Sequence, residues 1–134
     1  MAVIDGANVA HEEKTAEGKP KVSNLVAVRR LLEEEGFDPI VIVDATLRHE
    51  IDDPQQLEAL FDDERVRQAP AGTDADLFVL QTAKEFDGLV VSNDRFDRYR
   101  NRYPGQLERL IPVMIVRGEV VVYPDAVRTL ADES

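Results

Sequence analysis

Residues 87–94, which read Asp-Gly-Leu-Val-Val-Ser-Asn-Asp, decide the fold class of this chain. The pair Asp87-Gly88 predicts a turn, and the apolar run at 89–91 predicts a short buried strand that ends close to Asp94. The segment before the turn has the spacing of an amphipathic helix. Strands that alternate with helices are typical of βαβ units, in which a mostly parallel sheet lies between two layers of helices.

Two more buried strands are predicted near the N-terminus, and each of them also ends at an aspartate. Residues 2–4 form an apolar run that stops at Asp5, and residues 39–43 form a second run that stops at Asp44. In such sheets, ligands bind at the edge formed by the carboxyl ends of the strands. We therefore expect Asp5, Asp44 and Asp94 to meet at one rim.

Two longer helices are predicted between these strands. Ser23 is placed to cap the first helix, and Gly36 is placed to end it. Thr73 and Asp76 form a capping-box-like start for the second helix. The apolar stripe of the first helix consists of Leu25, Val28, Leu31 and Leu32, and that of the second consists of Leu77, Leu80, Ala83 and Phe86.

The remaining segments complete the fold prediction. Residues 45–54 predict a loop, followed by a short helix through Leu57 and Phe61 and a brief strand near Val66. The apolar runs at 111–116 and 120–123 predict a terminal hairpin that adds an antiparallel edge to the sheet.

The length is that of one domain over residues 1–134. The fold class that we predict is a three-layer αβα domain, with a mostly parallel central sheet and a C-terminal antiparallel hairpin.

The composition limits the compartment and the partners. Without cysteine, and without an apolar run near the roughly 18 residues that a membrane span needs, the chain is expected to be cytoplasmic and to stay out of membranes. A net charge of −11 argues by itself against a nucleic-acid partner. However, only four of the sixteen basic residues are lysine, a balance similar to that of salt-adapted proteins. In concentrated salt the average charge says little about one groove, so a halophilic source is a hypothesis.

Carboxylates that converge at one rim predict a metal site. Several of them within a few ångströms repel one another, and a cation relieves this repulsion. Because the chain has no cysteine and only two histidines, its oxygen ligands favour Mg²⁺ or Mn²⁺ over zinc. Such ions support in-line displacement at phosphorus, so the pattern predicts hydrolysis of a phosphodiester.

Other polar residues are expected to support this site. Asn8, in the turn after Asp5, is placed to hydrogen-bond a metal ligand or the scissile phosphate. Ser92 and Asn93 are placed to fix the loop that carries Asp94.

Asp74 and Asp76 lie at the start of the second long helix. In a simple βαβ unit we expect this start to lie away from the carboxyl rim, unless residues 69–74 cross the rim first. The alternative roles are structural: Asp76 completes the capping box of Thr73, and Asp74 is a favourable charge at a helix N-terminus.

These motifs together resemble the NYN branch of the PIN-like nucleases, most closely the ribonuclease domain of the regnase (Zc3h12a-like) group. The similar segments are residues 3–10 (Val-Ile-Asp-Gly-Ala-Asn-Val-Ala), 72–76 (Gly-Thr-Asp-Ala-Asp) and 87–94. The resemblance implies a PIN-like fold and a Mg²⁺-dependent ribonuclease whose partner is RNA.

Site residues follow from the same resemblance. It implies that Asp5, Asp76 and Asp94 are metal ligands and catalytic residues and that Asn8 assists them. Asp44, Asp74 and Asp97 are further candidate ligands.

The sequence departs from the family pattern at three points. Where regnase-like enzymes carry adjacent acids, this chain has Asp74-Ala75-Asp76, and the acid after the last motif falls one place early, at Asp97. A CCCH zinc finger is excluded because cysteine is absent. RNA selection is therefore expected to come from this domain or from a partner.

A segment rich in arginine follows Asp94. Arg95, Arg98, Arg100 and Arg102 are candidates for phosphate contacts, with Phe96, Tyr99 and Tyr103 available for base stacking. The alternative is that the aromatic rings face the core while the arginines pair with surface acids.

Three alternatives stay open at this point. The first is a non-catalytic module that binds RNA or a protein partner on the same scaffold. The second is a metal-dependent phosphatase, although Asp5-Gly6-Ala7 lacks the second acid of the haloacid dehalogenase pattern Asp-x-Asp. The third concerns assembly, since a homo-oligomer is as compatible with the sequence as a monomer.

Overall fold

The computed structural model describes residues 1–121, and its centre is a five-stranded sheet in the order β3-β2-β1-β4-β5. Every neighbouring pair in this sheet is parallel. The strands are β1 (Ala2–Asp5), β2 (Pro39–Val43), β3 (Val66–Gln68), β4 (Leu89–Val91) and β5 (Leu110–Ile111). The helices are α1 (Gly6–Ala10), α2 (Val22–Glu34), α3 (Ala45–Glu50), α4 (Pro54–Leu60), α5 (Ala75–Glu85) and α6 (Pro104–Glu108), with a 3₁₀ turn at Asp97–Tyr99.

Both faces of the sheet are covered, because side chains of one strand alternate between two apolar layers. Ile4, on β1, packs with Leu25 and Leu32 of α2 on one face. Val3, its neighbour, packs with Leu80 of α5 and the ring of Tyr99 on the other face. The three-layer arrangement predicted from the sequence is therefore confirmed.

Two predicted segments differ from the structure. Residues 45–50 form α3 instead of a loop, because the Asp44 carboxylate accepts the N–H of Leu47 (2.8 Å) and caps a helix there. The run at 111–116 is split: Ile111 pairs with β4, and only Met114–Val116 (β6) pairs with Glu119–Val121 (β7). The hairpin is therefore confirmed, but it forms a separate two-stranded sheet instead of an edge of the main one, and residues 122–123 of the prediction lie outside the described residues.

Two other details of the helix predictions were also wrong. Phe86, assigned to the apolar stripe of the second long helix, follows the end of α5 and is 40% exposed. Thr73 does not cap this helix: Asp74 is the N-cap, and its Oδ1 accepts the N–H of Asp76 (3.0 Å). Within residues 1–121, no helix is long and apolar enough to cross a bilayer.

The cap of α2 also differs from the prediction. Lys21 occupies the N-cap position without a capping side chain, and Ser23 lies inside the first turn and is exposed. The Val22 N–H instead donates to Asp52 Oδ1 (2.9 Å), which lies 30 residues away in the chain. The acceptor comes from tertiary structure, so a local sequence pattern could not reveal it.

Replacing Asp52 with alanine is expected to lower the free energy of unfolding by about 1 kcal/mol, the usual cost of a lost cap acceptor. Ser23→Ala is the matched control, and a change below about 0.5 kcal/mol is expected for this exposed position. Urea denaturation in EDTA measures both values. A larger loss for Ser23→Ala than for Asp52→Ala would restore Ser23 as the cap.

Candidate active site

Asp5 occupies the end of the central strand β1 and is 7% exposed. Its Oδ2 accepts the hydroxyl of Ser92 (2.9 Å), and its Oδ1 accepts the N–H of Asn8 (3.5 Å). Burial raises the pKa of Asp5 to about 6, and the charges of Asp76 and Asp94 add to this increase, against the lowering by the Ser92 hydrogen bond. A buried carboxylate at a strand end, beside two other acids, is a candidate for chemistry and not only for turn formation.

Asp94 is attached to the same network through the loop after β4. Ser92 Oγ, which donates to Asp5, accepts the N–H of Asp94 (3.0 Å), so one fully buried hydroxyl joins the two acids. Asp94 Oδ1 in turn accepts the N–H of Phe96 (2.8 Å). Phe96 has φ 53°, a left-handed conformation that is unusual for a bulky residue.

Asn8 and Asn93 connect the loops after β1 and β4. Asn8 Oδ1 accepts the backbone N–H of Asn93 (2.9 Å). Asn93 continues the connection through its Oδ1, which accepts the N–H of Val113 (2.9 Å). Both residues therefore tie the rim loops together. The sequence predicted that Asn93 fixes the loop of Asp94 and that Asn8 hydrogen-bonds a metal ligand or the scissile phosphate, and the backbone N–H of Asn8 donates to Asp5.

Asp76 joins the acids from the start of α5. Burial is the largest cause that raises the pKa of Asp76. The charges of Asp94 and Asp74 raise it further, and that of Asp44 adds a smaller increase. Of the two placements considered for this helix, the observed one is that in which residues 69–74 pass the rim before the helix begins. Because the parallel strand β3 ends at Gln68, at the carboxyl edge, the chain is already at that edge when residues 69–74 lead into α5.

The other three candidate ligands have structural partners. Asp44 caps α3, and Asp74 caps α5. Asp97 lies on the 3₁₀ turn, with 75% of its side chain exposed, and pairs with Arg100 (2.9 Å). The structure thus brings Asp5, Asp76 and Asp94 close enough for the charge of Asp94 to raise the pKa values of the other two, and the charges of Asp44 and Asp74 act on Asp76 as well. The Asp97 carboxylate instead pairs with an arginine.

The position of this group in the sheet follows the general rule for open α/β sheets. The chain adds β2 and β3 on one side of β1, and then crosses to place β4 and β5 on the other side. Open α/β sheets bind ligands at the carboxyl ends of the two strands beside such a reversal, which are β1 and β4 here. Asp5 and Asp94 follow those two strands.

The arginine segment, residues 95–102, runs beside the acids. Arg95, Arg98, Arg100 and Arg102 are exposed, and Arg98 Nη1 lies 3.5 Å from Asp74 Oδ2. The prediction that aromatic rings here stack on bases was wrong, because Phe96, Tyr99 and Tyr103 are only 2%, 8% and 6% exposed and pack with residues of α5. Aromatic residues at this spacing fill the core, as the alternative interpretation stated.

Two polar residues that support the site were missed from the sequence. The buried Asn24 of α2 donates its amide to Ala10 O (2.9 Å) and Glu13 O (2.9 Å), which fixes the end of α1. Glu13 accepts the N–H of Gly118 (3.0 Å) and so holds the β6–β7 turn. Asn24 beside Leu25 and Val28, on the buried side of an amphipathic helix, was the signal that could have revealed the first of them.

The acidic side chains at the rim do not form a complete set of metal ligands in the described part of the chain. Among residues 1–121, no three His, Asp or Glu side chains lie together closely enough to hold an ion as a ready-made group. The donors at the rim are nevertheless all oxygen atoms, and the charges of Asp76 and Asp94 both act on Asp5. This donor set suits a hard divalent ion and does not suit zinc.

Comparison with solved structures supports the fold. Two structures of the nuclear protein-only RNase P 2 (PRORP2) of Arabidopsis thaliana match with TM-scores of 0.71 and 0.67, both at 20% identity. Each match covers 90% of this chain but 29% of that chain. At this identity the likeness concerns the fold, and it confirms the expected PIN-like α/β architecture.

Comparison of the sequence itself gives the family. A search of curated proteins finds no significant match. The model of the Zc3h12a-like ribonuclease NYN domain matches residues 1–130, nearly the whole chain and all of the motifs at the rim. This chain therefore belongs to the Zc3h12a-like ribonuclease NYN domain family.

Proposed function

We propose that this domain is a metal-dependent endoribonuclease that hydrolyses single-stranded RNA. The observation that carries the proposal concerns Asp5, which is a buried carboxylate beside Asp76 and Asp94 and has its pKa raised to about 6. It lies where the strand order of the sheet reverses, between β1 and β4. The family supplies the RNA substrate class. The metal, the single-stranded substrate and internal cleavage are the parts that we add.

The proposed ligands for Mg²⁺ or Mn²⁺ are Asp5, Asp76 and Asp94. Mg²⁺ keeps several waters and takes one or two carboxylates directly, so one or two of these acids would bind the ion itself and the others would bind it through a coordinated water. Three preassembled side chains are therefore not required. When bound, such an ion neutralises charge on the phosphate and supplies an activated water. Relief of carboxylate repulsion favours its binding, since the charge of Asp94 raises the pKa of both Asp5 and Asp76.

The protein's own residues orient this site. The Ser92 hydroxyl holds Asp5 and the loop of Asp94 in a fixed relation, because it donates to one and accepts from the other. Asn8 Oδ1 accepts the Asn93 N–H, so the side-chain NH₂ group of Asn8 is left to donate to a phosphate oxygen.

The exposed arginines supply the positive charge that the rest of the acidic surface lacks. We propose that Arg95, Arg98, Arg100 and Arg102 contact phosphates of the RNA beside the acids; Arg98 already lies 3.5 Å from Asp74. Because the nearby rings are buried, these contacts concern the backbone of the RNA and not its bases.

The test is cleavage of a circular, labelled single-stranded RNA, which has no ends and is therefore cut only by an endonuclease. We expect cutting with Mg²⁺ or Mn²⁺ and no cutting with EDTA. Asp94→Asn is expected to lose more than about 100-fold in activity, because losing a ligand costs more than losing a group that orients one. Assays at low and molar salt test the hypothesis of salt adaptation. Asp97→Asn is the matched control, since this exposed acid pairs with Arg100.

The outcomes separate the alternatives. Cutting that is retained in Asp94→Asn would indicate a contaminant or a different site. Cutting of linear RNA alone would indicate an exonuclease. RNA binding without cutting under any condition would favour the non-catalytic module.

A further inference from the structure

Asp74 lies at a junction between the start of α5 and the arginine segment. Its Oδ1 accepts the backbone N–H of Asp76 (3.0 Å), and its Oδ2 accepts the hydroxyl of Tyr99. The guanidinium of Arg98 lies 3.5 Å from the same Oδ2. Both carboxylate oxygens of Asp74 are therefore engaged by groups of this chain.

We propose that Asp74 and Tyr99 are a positioning pair: together they hold Asp76 in place opposite Asp94, and neither of them binds the metal ion. The inference rests on the proposed function, because it assigns which of two neighbouring acids is the ligand. It also gives a reason for the sequence Asp74-Ala75-Asp76, in which the first acid caps the helix and the second faces the cluster.

The physical argument begins with the helix start. Asp76 lies in the first turn of α5, so the direction of its side chain depends on how that turn is fixed. Asp74 fixes the turn as its N-cap, and the Tyr99 hydroxyl fixes Asp74.

Tyr99 is itself fixed relative to Asp94. Its ring is 8% exposed, and its N–H donates to Phe96 O (2.9 Å). The Phe96 N–H donates to Asp94 Oδ1 (2.8 Å). The contacts from Asp94 through Phe96, Tyr99 and Asp74 to Asp76 thus connect two proposed ligands that lie on different elements, the start of α5 and the loop after β4.

The first test removes only the hydroxyl. Tyr99→Phe is expected to weaken Mn²⁺ binding, measured by electron paramagnetic resonance, and to lower kcat by about 10-fold, the usual range for a group that orients a ligand. The KM for RNA is expected to stay unchanged, because Tyr99 is buried and its hydroxyl donates to Asp74. Tyr103→Phe is the matched control, since Tyr103 is buried in the same core cluster, and it should leave Mn²⁺ affinity and kcat near the wild-type values.

The second test separates a cap from a ligand. Asparagine caps helices as well as aspartate does, so Asp74→Asn is expected to keep Mn²⁺ affinity within about threefold of wild type. Asp76→Asn is expected to weaken it by more than about 100-fold.

Three results would be decisive against these assignments. Equal losses in Asp74→Asn and Asp76→Asn would make Asp74 a ligand and overturn the inference, as would identical behaviour of Tyr99→Phe and Tyr103→Phe. A wild-type protein that neither binds Mn²⁺ nor cuts RNA would instead overturn the proposed function, and the inference with it.

Discussion

Replacing Asp5 with asparagine is expected to abolish RNA cleavage and, at the same time, to make the metal-free protein more stable. The loss of cleavage, more than about 100-fold, follows because the proposed ligand is removed while the Ser92 and Asn8 contacts keep a partner of the same shape. The gain in stability follows because the wild-type protein keeps an ionised carboxylate almost out of contact with water, beside two other acids.

The direction of the expected stability change follows from the pKa of Asp5. The pKa of Asp5 is raised from 3.8 to about 6 in the folded protein, so the folded state binds the proton more tightly than the unfolded state does. The resulting stabilisation is fully present below pH 3.8 and is lost as the pH rises through about 6. Above that pH the ionised form costs at most roughly 3 kcal/mol, at 1.36 kcal/mol for each pKa unit.

The measurement is urea denaturation of both proteins in EDTA between pH 4 and 8, repeated with Mg²⁺. We expect Asp5→Asn to exceed the wild type most at pH 8 and to lose this advantage towards pH 4. Added Mg²⁺ should stabilise the wild type and leave the variant almost unchanged. Asp62→Asn, at an exposed position, is the control for a general charge effect, and a gain equal to that of Asp5→Asn would contradict the local explanation.

The sequence was sufficient for the features that depend on local pattern. Asp5, Asp44 and Asp94 follow short buried runs, and parallel strands necessarily bring such positions to one edge. The main helices were predicted for the same reason, since apolar spacing records which face is buried. The assignment of Asp76 needed the family motif, because spacing alone did not show that the strand before α5 ends at the rim.

The features that the sequence did not reveal depend on contacts between distant residues. Asp52 caps α2 from 30 residues away, and the Asn24 amide binds the carbonyl of Ala10 from the next helix. Asp74 contacts Tyr99 25 residues further along the chain. Each of these is a short polar residue with several possible local roles, and only the tertiary fold selects the one that is used.

Gly6→Ala is expected to be the most destabilising single substitution in the motif that carries Asp5. A Cβ on Gly6 would lie 2.4 Å from the carbonyl oxygen of Ile42 and 2.9 Å from Val43 Cγ1. The oxygen belongs to the backbone of β2, which pairs with β1 at this position, so it cannot move without disturbing the sheet. We expect a loss of about 3 kcal/mol or more in the free energy of unfolding, at or above the upper end for overpacked sites.

Gly105→Ala is the matched control for this prediction, because its Cβ would have no neighbour within 4 Å and Gly105 also lies in the first turn of a helix, α6. Alanine favours helices over glycine by up to about 1 kcal/mol, so this control is expected to be neutral or slightly stabilising. Urea denaturation in EDTA gives the stability and the folded fraction of the two variants, and RNA cleavage at low temperature is then compared with that folded fraction. Because the clash displaces the residue that follows Asp5, cleavage by Gly6→Ala should fall further than its folded fraction does. A Gly6→Ala protein as stable as Gly105→Ala would mean that β2 gives way, and that the close contact between α1 and β2 does not determine where Asp5 lies.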